Sequence, residues 1–345
     1  MSQSTEFAPP LHSRALHLRD RQRLRVAVVG FGVMGRHHAN IYASLPYVDL
    51  VAVVDPDASQ RDMAAFQHAV NVYETLEHLL DNEPLDAISI AAPTKHHYAL
   101  CKTCLEADVH VMVEKPVTNN VQEAQALIEL SRNRGLIFQV GHITRFYQAV
   151  KLLGERVREP YLIEARRLSP TTRIQDVGVI LDLMIHDIDI VLGLVDSSVA
   201  DVTVSGHVLA SNHEDVAAAQ ITFENGCIAR FLASRIAPDA ERTLVIAERD
   251  KTFRIDFSKE PHTEVAIYRA PAGSSNEVHM ERTTVHDDNP LRDELEHFLD
   301  RIRYGVMPIG TLEDDLRSLR LAIKLESYLH QQLQRRLSQP ALKAS

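Results

Sequence analysis

Four stretches of this 345-residue chain carry groups whose type and spacing could do chemistry. They are three glycines spaced Gly-x-Gly-x-x-Gly near the start, an acidic residue ending the next apolar run, a lysine between Glu and Pro, and an aspartate four residues ahead of a histidine. Such a glycine pattern lets a phosphate approach backbone N–H groups. Lysine, histidine and aspartate are common proton-transfer groups in enzymes.

The glycine pattern follows an apolar run directly. Residues Val26–Val29 are apolar and mostly β-branched, and they lead into Gly30, Gly32 and Gly35. This order predicts a buried strand, a tight turn at Gly30, a pyrophosphate approach at Gly32 and close helix–strand packing at Gly35. The helix N-terminus offers N–H groups to the phosphates. The predicted cofactor-binding turn consists of Gly30, Phe31, Gly32, Val33, Met34 and Gly35.

The acidic residue after the next apolar run indicates which dinucleotide binds. Leu50–Val54 ends at Asp55. A carboxylate there accepts hydrogen bonds from both hydroxyls of an adenosine ribose and repels a 2′-phosphate. We therefore expect NAD rather than NADP. A glycine turn without a ligand is the alternative, and the strand, helix and acidic residue together disfavour it.

Strands and helices alternate from Leu24 to about Ile143. The predicted strands are Arg25–Val29, Leu50–Asp55, Ala87–Ala91, His110–Val113 and Ile137–Gly141, and the predicted helices are Arg36–Ser44, Ala58–Phe66, Thr75–Asp81, Tyr98–Ala107 and Val121–Asn133. Apolar strands separated by helices predict a doubly wound parallel sheet, here a Rossmann domain over residues 24–145. Its ligands should bind beyond the carboxyl ends of the strands, where segments 92–98, 114–116 and 141–146 lie. Lys115, partly desolvated there, could transfer a proton.

The second half, residues 146–336, has a different pattern. We expect helices at Val150–Val157, Val179–Val195, Pro290–Tyr304 and Leu312–Arg336, and strands at Pro160–Leu168, Asp201–Leu209, Ala217–Glu224, Cys227–Ser234, Arg242–Ala247, Phe253–Phe257 and Val265–Arg269. Asn225-Gly226 between two alternating runs predicts a hairpin turn. Many sequential strands indicate an α/β domain with a large open, mostly antiparallel sheet, whose free face is typical of a homo-oligomer interface. Residues 1–23 and 337–345 are expected to be tails.

Three polar residues share one face of the predicted helix Val179–Val195. Asp182, His186 and Asp189 stand at i, i+4 and i+7 on an otherwise apolar helix, where unpaired polar groups are costly to bury. A structural His–Asp pair and a catalytic pair both satisfy this pattern. The isolated Lys115 favours the catalytic one.

Composition excludes several functional classes. The chain is 45% hydrophobic and 24% charged, and its 37 basic and 47 acidic residues give a net charge of −10. Such an acidic balance disfavours nucleic acid as a partner. No apolar run approaches the roughly 18 residues that would predict a membrane span, and no secretory signal is recognisable.

The cysteines and histidines suggest no metal site. Cys101 and Cys104 lie in a predicted helix without a second pair, and Cys227 is isolated, so we expect free thiols in a reducing, cytoplasmic environment. Adjacent histidines such as His37-His38 or His96-His97 point about 100° apart on a helix and are poorly placed to share an ion. We predict no metal.

These features resemble the Gfo/Idh/MocA oxidoreductases, from Arg25 to the last helix. The resemblance rests on Gly30–Gly35, Asp55, Glu114-Lys115-Pro116 and Asp182-xxx-His186. It implies a Rossmann domain and an α/β domain whose open sheet forms dimers or tetramers. The implied activity is oxidation of a hydroxyl of a sugar, cyclitol or nucleotide sugar by hydride transfer to NAD(P).

The resemblance also implies roles for single residues. Lys115 and His186 would be the proton-transfer pair, with the choice of base left open, and Asp182 would contact or orient the substrate. Thr94, His97 and Glu114 would lie beside the cofactor, with Lys115.

Segment 164–189 is most similar to family members acting on UDP-N-acetylglucosamine. Those oxidise the C3 hydroxyl to a ketone, which a partner aminotransferase can then aminate. Arg145, Arg166 and Arg173 could supply guanidinium forks for the diphosphate, or could pair with surface carboxylates instead. Arg166 and Arg167 point to opposite faces of a strand, so at most one faces the site. A dehydrogenase of a free sugar or inositol and a non-catalytic NAD-sensing regulator are the alternatives.

Overall fold

The computed structural model describes residues 23–170, 176–259, 261–269, 279–287 and 289–338. The chain forms two compact units. The first takes the described part of Met1–Val117, Gln122–Gly141 and Leu291–Ile309, and the second takes that of Thr118–Val121, His142–Pro290 and Gly310–Ser345.

The first unit contains a six-stranded sheet in which every pairing is parallel. Its strands are β1 (Leu24–Val29), β2 (Val48–Val54), β3 (Asn71–Tyr73), β4 (Ala87–Ile90), β5 (His110–Glu114) and β6 (Phe138–Gly141). The order β3-β2-β1-β4-β5-β6 is that of a doubly wound dinucleotide-binding sheet, which confirms the predicted fold class. Only the short edge strand β3 escaped prediction, because Asn-Val-Tyr offers no apolar run.

Helices connect these strands. They are α1 (Val33–Ser44), α2 (Ala58–His68), α3 (Leu76–Asn82), α4 (His97–Glu106) and α5 (Val121–Arg134). Capping residues explain two of the starts: the Asp57 side chain accepts a hydrogen bond from Ser59 N, and Thr75 accepts one from His78 N. Helix α1 instead begins at Gly32 without a side-chain cap.

Helix α8 (Pro290–Tyr304) packs in the first unit, although the predicted boundaries place it in the domain 146–336. Its apolar face buries Leu295, Phe298, Leu299 and Ile302 in the same cluster as residues of β1 and α1. The amphipathic pattern predicted the helix and its bounds. It could not predict which core the apolar face joins, because periodicity carries no information about the partner.

The second unit is built on an eight-stranded sheet. Its strands are β7 (Leu162–Leu168), β8 (Val199–His207), β9 (Val216–Phe223), β10 (Ile228–Ser234), β11 (Glu241–Ala247), β12 (Lys251–Asp256), β13 (His262–Arg269) and β14 (His279–His286). They lie in the order β14-β13-β12-β11-β7-β10-β9-β8, and every pairing is antiparallel except β7 with β10. The β9–β10 turn has Gly226 at φ +86°, which confirms the hairpin predicted from Asn225-Gly226.

Helices of the second unit pack on this sheet. They are α6 (Gln148–Arg156), α7 (Ile185–Leu194), which follows a π-helical segment Ile180–Met184, and α9 (Leu312–Ser338). A side chain on Gly206 of β8 would come within 2.8 Å of Leu329 of α9, so helix and strand are in direct contact. Strand β14 was not predicted, because it is a mostly exposed edge strand without polar and apolar alternation.

The burial of α8 makes the stability of the first unit depend on residues late in the chain. We expect Phe298→Ala to lower the free energy of unfolding by about 3–5 kcal/mol, since it empties a fully buried aromatic site. Urea unfolding would measure this, with Tyr304→Ala at the exposed end of α8 as the control. Equal effects of the two substitutions would contradict the described packing.

Candidate functional site

The glycine turn of the first unit has the geometry that the sequence predicts. Gly30 has φ +86°, and a Cβ there would lie 2.7 Å from the Ala91 carbonyl oxygen. A Cβ on Gly35 would lie 1.7 Å from the Gly30 oxygen, so α1 and β1 approach more closely than any side chain permits. Gly32 differs, because a Cβ there would meet nothing within 4 Å. This open space at the start of α1 can admit a phosphate.

Asp55 completes the dinucleotide features of this unit. Its carboxylate is buried, with Oδ2 accepting a hydrogen bond from Phe31 N at 2.7 Å and Oδ1 one from Asp57 N at 2.9 Å. Each oxygen retains a lone pair for a ribose hydroxyl. Val33 and Met34 form the first turn of α1, where N–H groups have no intrahelical partner. These residues fit NAD.

His97 lies against the segment that carries Lys115. Its buried ring places Nε2 2.8 Å from the Ala92 carbonyl oxygen and Nδ1 2.9 Å from the Pro116 carbonyl oxygen. It therefore ties the turn after β4 to the turn after β5. Thr94, also buried, begins the short 3-10 turn that leads into His97.

Glu114 and Lys115 stand at the carboxyl end of β5, where the topology predicts ligands. Glu114 is the last residue of the strand and is largely buried, whereas Lys115 is partly exposed. Burial would raise the pKa of Glu114, but the hydrogen bond from His38 and the charges of His38, Lys115 and His97 outweigh it and lower this pKa. Glu114 is therefore an ionised carboxylate at neutral pH. The contact of His38 with Glu114 was not predicted, since in the sequence His38 is recognisable only as half of a histidine pair.

The second unit holds Asp182 and His186 on one continuous helical run. Asp182 lies in the π-helical segment Ile180–Met184, His186 lies in the first turn of α7, and both side chains are buried. The helix is found where it was predicted, but its first turn is wider than an α-turn. Such π-helical turns are frequent at functional sites.

Arg167 anchors this helical run to β7. Its Nη2 lies 2.7 Å and its Nε 3.1 Å from the two oxygens of Asp187, the neighbour of His186, and the pair is buried. Arg166 points to the other face, half exposed, with Nε 2.9 Å from Glu241. The two arginines thus occupy opposite faces, as predicted. Arg173 lies outside the described residues.

Arg145 is held by carboxylates of its own unit. Its Nε and Nη2 donate to the two oxygens of Asp189 at 2.8 and 2.6 Å, and Nη2 also lies 2.8 Å from Asp315. A Cβ on Gly310 would lie 2.2 Å from Arg145 Nη1, so the guanidinium is enclosed. This arrangement departs from the predicted diphosphate contact, because short-range pairing with two buried aspartates satisfies the fork.

The same cluster contains a buried histidine and two carboxyl groups with different pKa values. His142 lies 3.7 Å from both Asp189 and Asp315. Burial would raise the pKa of Asp189, but His142, Arg145 and Ser318 lower it to about 2. Burial raises the pKa of Asp315 to about 7, with Arg145 opposing the shift.

One group among the described residues has side chains at metal-ligand spacing. It consists of Glu214, Glu326 and His330, whose ligand atoms lie within 4.8 Å of one another. Glu214 Oε1 also accepts a hydrogen bond from Ile180 N at 3.2 Å, at the start of the π-helical segment. Their proximity was not predicted, because Glu214 is distant along the chain from Glu326 and His330. The prediction that no metal binds stays a prediction.

The three cysteines of the chain are thiols. Cys101, Cys104 and Cys227 are free and buried.

Within the described ranges, the helices fall short of the length and apolarity that crossing a bilayer requires.

Comparison with known proteins identifies the family. Residues 24–142 match the model of an oxidoreductase family with an NAD-binding Rossmann fold, and residues 149–259 match the Gfo/Idh/MocA C-terminal domain. The chain belongs to the Gfo/Idh/MocA family of NAD-binding oxidoreductases. This confirms the resemblance, the enzyme class and the cofactor expected from the sequence.

Two relatives and one solved structure are similar to the chain along most of its length. The chain is 33% identical to UDP-N-acetylglucosamine 3-dehydrogenase of Acidithiobacillus ferrooxidans, over 81% of this chain and 88% of the relative. It is 28% identical to scyllo-inositol 2-dehydrogenase (NAD(+)) of Bacillus subtilis, over 87% of this chain and 92% of the relative. A solved structure of the Acidithiobacillus enzyme has a TM-score of 0.83 at 31% identity, covering 90% of this chain and 99% of that one.

The Arg145 cluster yields a prediction that separates a structural from a ligand-binding role. Arg145→Met leaves two aspartates without their guanidinium, so we expect the free energy of unfolding to fall by about 3–5 kcal/mol. Arg166→Met, at a half-exposed pair, should change it by less than about 1 kcal/mol. Urea unfolding at neutral pH measures both. A stable Arg145→Met protein with weakened substrate binding would instead support the predicted contact between Arg145 and the substrate diphosphate.

The Glu326 carboxyl predicts a pH dependence of stability. Burial and the neighbouring Glu214 raise its pKa to about 7, against the opposing effect of His330. Because this folded pKa exceeds the unfolded one, its contribution to stability is present at low pH and is lost as pH rises through about 7.

Glu326→Gln removes that titration. Between pH 5 and 9 we expect the wild type to lose about 1–2 kcal/mol relative to this variant, after allowance for solvent screening. Urea unfolding at both pH values measures the difference. Glu313→Gln, at an exposed position of α9, is the control. If the free energies of unfolding of Glu326→Gln and wild type differed by the same amount at both pH values, the raised pKa of Glu326 would be refuted.

Proposed function

We propose that this chain is an NAD-dependent dehydrogenase that oxidises the C3 hydroxyl of a UDP-N-acetylhexosamine to a ketone. The observation that carries the proposal is the 33% identity to a UDP-N-acetylglucosamine 3-dehydrogenase along 88% of that enzyme. Lys115, Asp182 and His186 are all present in the chain, whereas a non-catalytic regulator has no need of them.

Bound NAD supplies the hydride acceptor at its nicotinamide C4. The residues of the chain must then remove the hydroxyl proton as the carbinol C–H electron pair departs and the C=O bond forms. We assign this proton to Lys115 and His186, with the choice of base between them left to experiment. Asp182 contacts or orients the substrate. Thr94, His97 and Glu114 are proposed to line the cofactor side, with Lys115.

The diphosphate of the substrate needs a local positive field, because the chain as a whole has a net charge of −10. Arg166 and Arg173 are the proposed contacts. Arg166 has a half-exposed guanidinium whose present partner, Glu241, forms a surface pair that is weak enough to exchange. Arg145 contributes differently in this proposal, by holding Asp189 on the helix that carries His186.

The next enzyme, the oligomeric state and the cellular location are also proposed. The 3-keto product is a substrate for reductive amination, so an aminotransferase is the proposed next enzyme. The open sheet of the second unit is proposed as a homo-oligomer interface, and the free thiols favour a cytoplasmic location.

Similarity to an inositol dehydrogenase supports a second candidate substrate class. Thermal unfolding with NADH present and each ligand added separates the two. A ligand at a hundredfold excess over its Kd stabilises the protein by about 2.7 kcal/mol. UDP-N-acetylglucosamine should raise the melting temperature and myo-inositol should not. The reverse result would contradict the proposal of a nucleotide-sugar substrate.

Catalytic variants test the chemistry. With UDP-N-acetylglucosamine and NAD, we expect Lys115→Ala and His186→Ala each to lower kcat by roughly 10²–10⁴-fold. NADH absorbance measures turnover, and mass spectrometry of the product locates the ketone. Lys102→Ala and His78→Ala, at exposed positions of α4 and α3, are the matched controls. Near-normal turnover of both catalytic variants would reject the assignment.

A further inference from the structure

Four side chains in the first unit form a hydrogen-bonded line that ends at Glu114, and three of them, Tyr42, Ser89 and His38, have no role in the reaction as proposed. Tyr42 donates its hydroxyl hydrogen to Ser89 Oγ at 3.3 Å, and Ser89 Oγ lies 2.8 Å from His38 Nδ1. His38 Nε2 lies 3.0 Å from Glu114 Oε1. The Tyr42, Ser89 and His38 side chains are fully buried, so water does not compete for these hydrogen bonds.

The chemistry of the end group sets the direction of the hydrogen bond at Glu114. Glu114 is an ionised carboxylate and accepts only, so His38 Nε2 must carry the hydrogen. At the other end of the line, the Ser89 oxygen accepts from Tyr42, whose pKa burial raises well above its usual value. The His38 ring lies between these two hydrogen bonds, with Nδ1 2.8 Å from Ser89 Oγ.

The position of His38 connects two parts of the cofactor site. It lies in α1, the helix whose N-terminus follows the glycine turn, and its partner Glu114 directly precedes Lys115. The second oxygen of Glu114 is also confined, because a Cβ on Gly141 would come within 3.2 Å of it. The Glu114 carboxylate is thus hydrogen-bonded by His38 and packed against Gly141 of β6.

We propose that His38 is a positioning residue, which fixes the Glu114 carboxylate beside Lys115 and thereby sets the orientation and charge environment of the Lys115 amine. The proposal rests on the proposed function only in that Lys115 is a proton-transfer group. The charged and titratable groups facing Glu114 are His38, Lys115 and His97. His38 Nε2 lies 3.0 Å from Glu114 Oε1 and donates a hydrogen bond to it.

Removal of His38 should act on Lys115 through Glu114. Without the Nε2 donor, the carboxylate loses a partner in a buried site, and it either takes up a proton or turns away. Either response removes a fixed negative charge from the neighbourhood of Lys115. The amine form of Lys115 should then become accessible at lower pH.

The test reads Lys115 directly and needs no sugar. The full-length protein is acylated with an amine-directed ester across a pH series, and mass spectrometry follows the Lys115-containing peptide. We expect His38→Ala to move the pH midpoint of Lys115 acylation down by about one unit. His38→Gln can place its amide N–H near Nε2 and should restore most of the wild-type profile. His37→Ala, at the exposed neighbour on α1, is the control.

Three outcomes decide the proposal. A wild-type acylation profile in folded His38→Ala, or a failure of His38→Gln to recover the profile, overturns it. If His38→Ala does not fold, Glu114→Gln serves instead, since it keeps the shape of the side chain and removes its charge; an unchanged midpoint there also overturns the proposal. NADH formation on UDP-N-acetylglucosamine is measured separately, so a wrong substrate leaves the acylation result intact.

Discussion

The approach of helix α1 to strand β1 is the constraint on which the first unit depends. Gly35 brings the helix backbone to within a distance of Gly30 that excludes any Cβ. This contact aims the first turn of α1 at the open space around Gly32, and it places Phe31 N on Asp55. The same helix carries His38 to Glu114, one turn further along. A single steric condition therefore sets both the glycine turn and the position of His38 against Glu114.

The second unit depends instead on the pairing of buried charge. Asp187 is held by Arg167, and Asp189 by Arg145, so both β7 and the segment after β6 are tied to the helix that carries His186. Asp215 accepts three backbone N–H groups, and these together outweigh its burial and lower its pKa to about 2. Unpaired, such carboxylates would each be costly to bury. The Asp187 and Asp189 carboxylates on this helix are therefore structural charges.

The sequence predicted the fold where local pattern and topology agree. The glycine spacing, the apolar strands and Asp55 define a parallel sheet almost without reference to distant residues. The placement of α8 and the edge strand β14 depended on tertiary partners, which periodicity does not encode. The same distinction applies to the site. Lys115, Asp182 and His186 are predicted from local spacing and stay predictions. Arg145 was expected to meet a ligand, because nothing near it in sequence announces Asp315.

His38 is the complementary case. Its partners Ser89 and Glu114 lie at or near the ends of neighbouring strands of the sheet, and only the strand order β1-β4-β5 brings them under α1. A histidine three residues after Gly35 on a predicted helix, facing two strand ends with polar residues, is a signal that could have been sought. It requires the strand order first, so it follows from the fold and not from the local sequence.

The return of α8 to the first unit has a consequence for biosynthesis. A nascent chain leaves the ribosome from its N-terminus, so β1 to β6 emerge long before Pro290–Tyr304. Until α8 emerges, the apolar surface that Phe298 and Leu299 cover has no partner from the chain itself. The first unit thus matures only after the strands of the second unit have been synthesised. Excising it for expression in isolation would require grafting α8 onto its end.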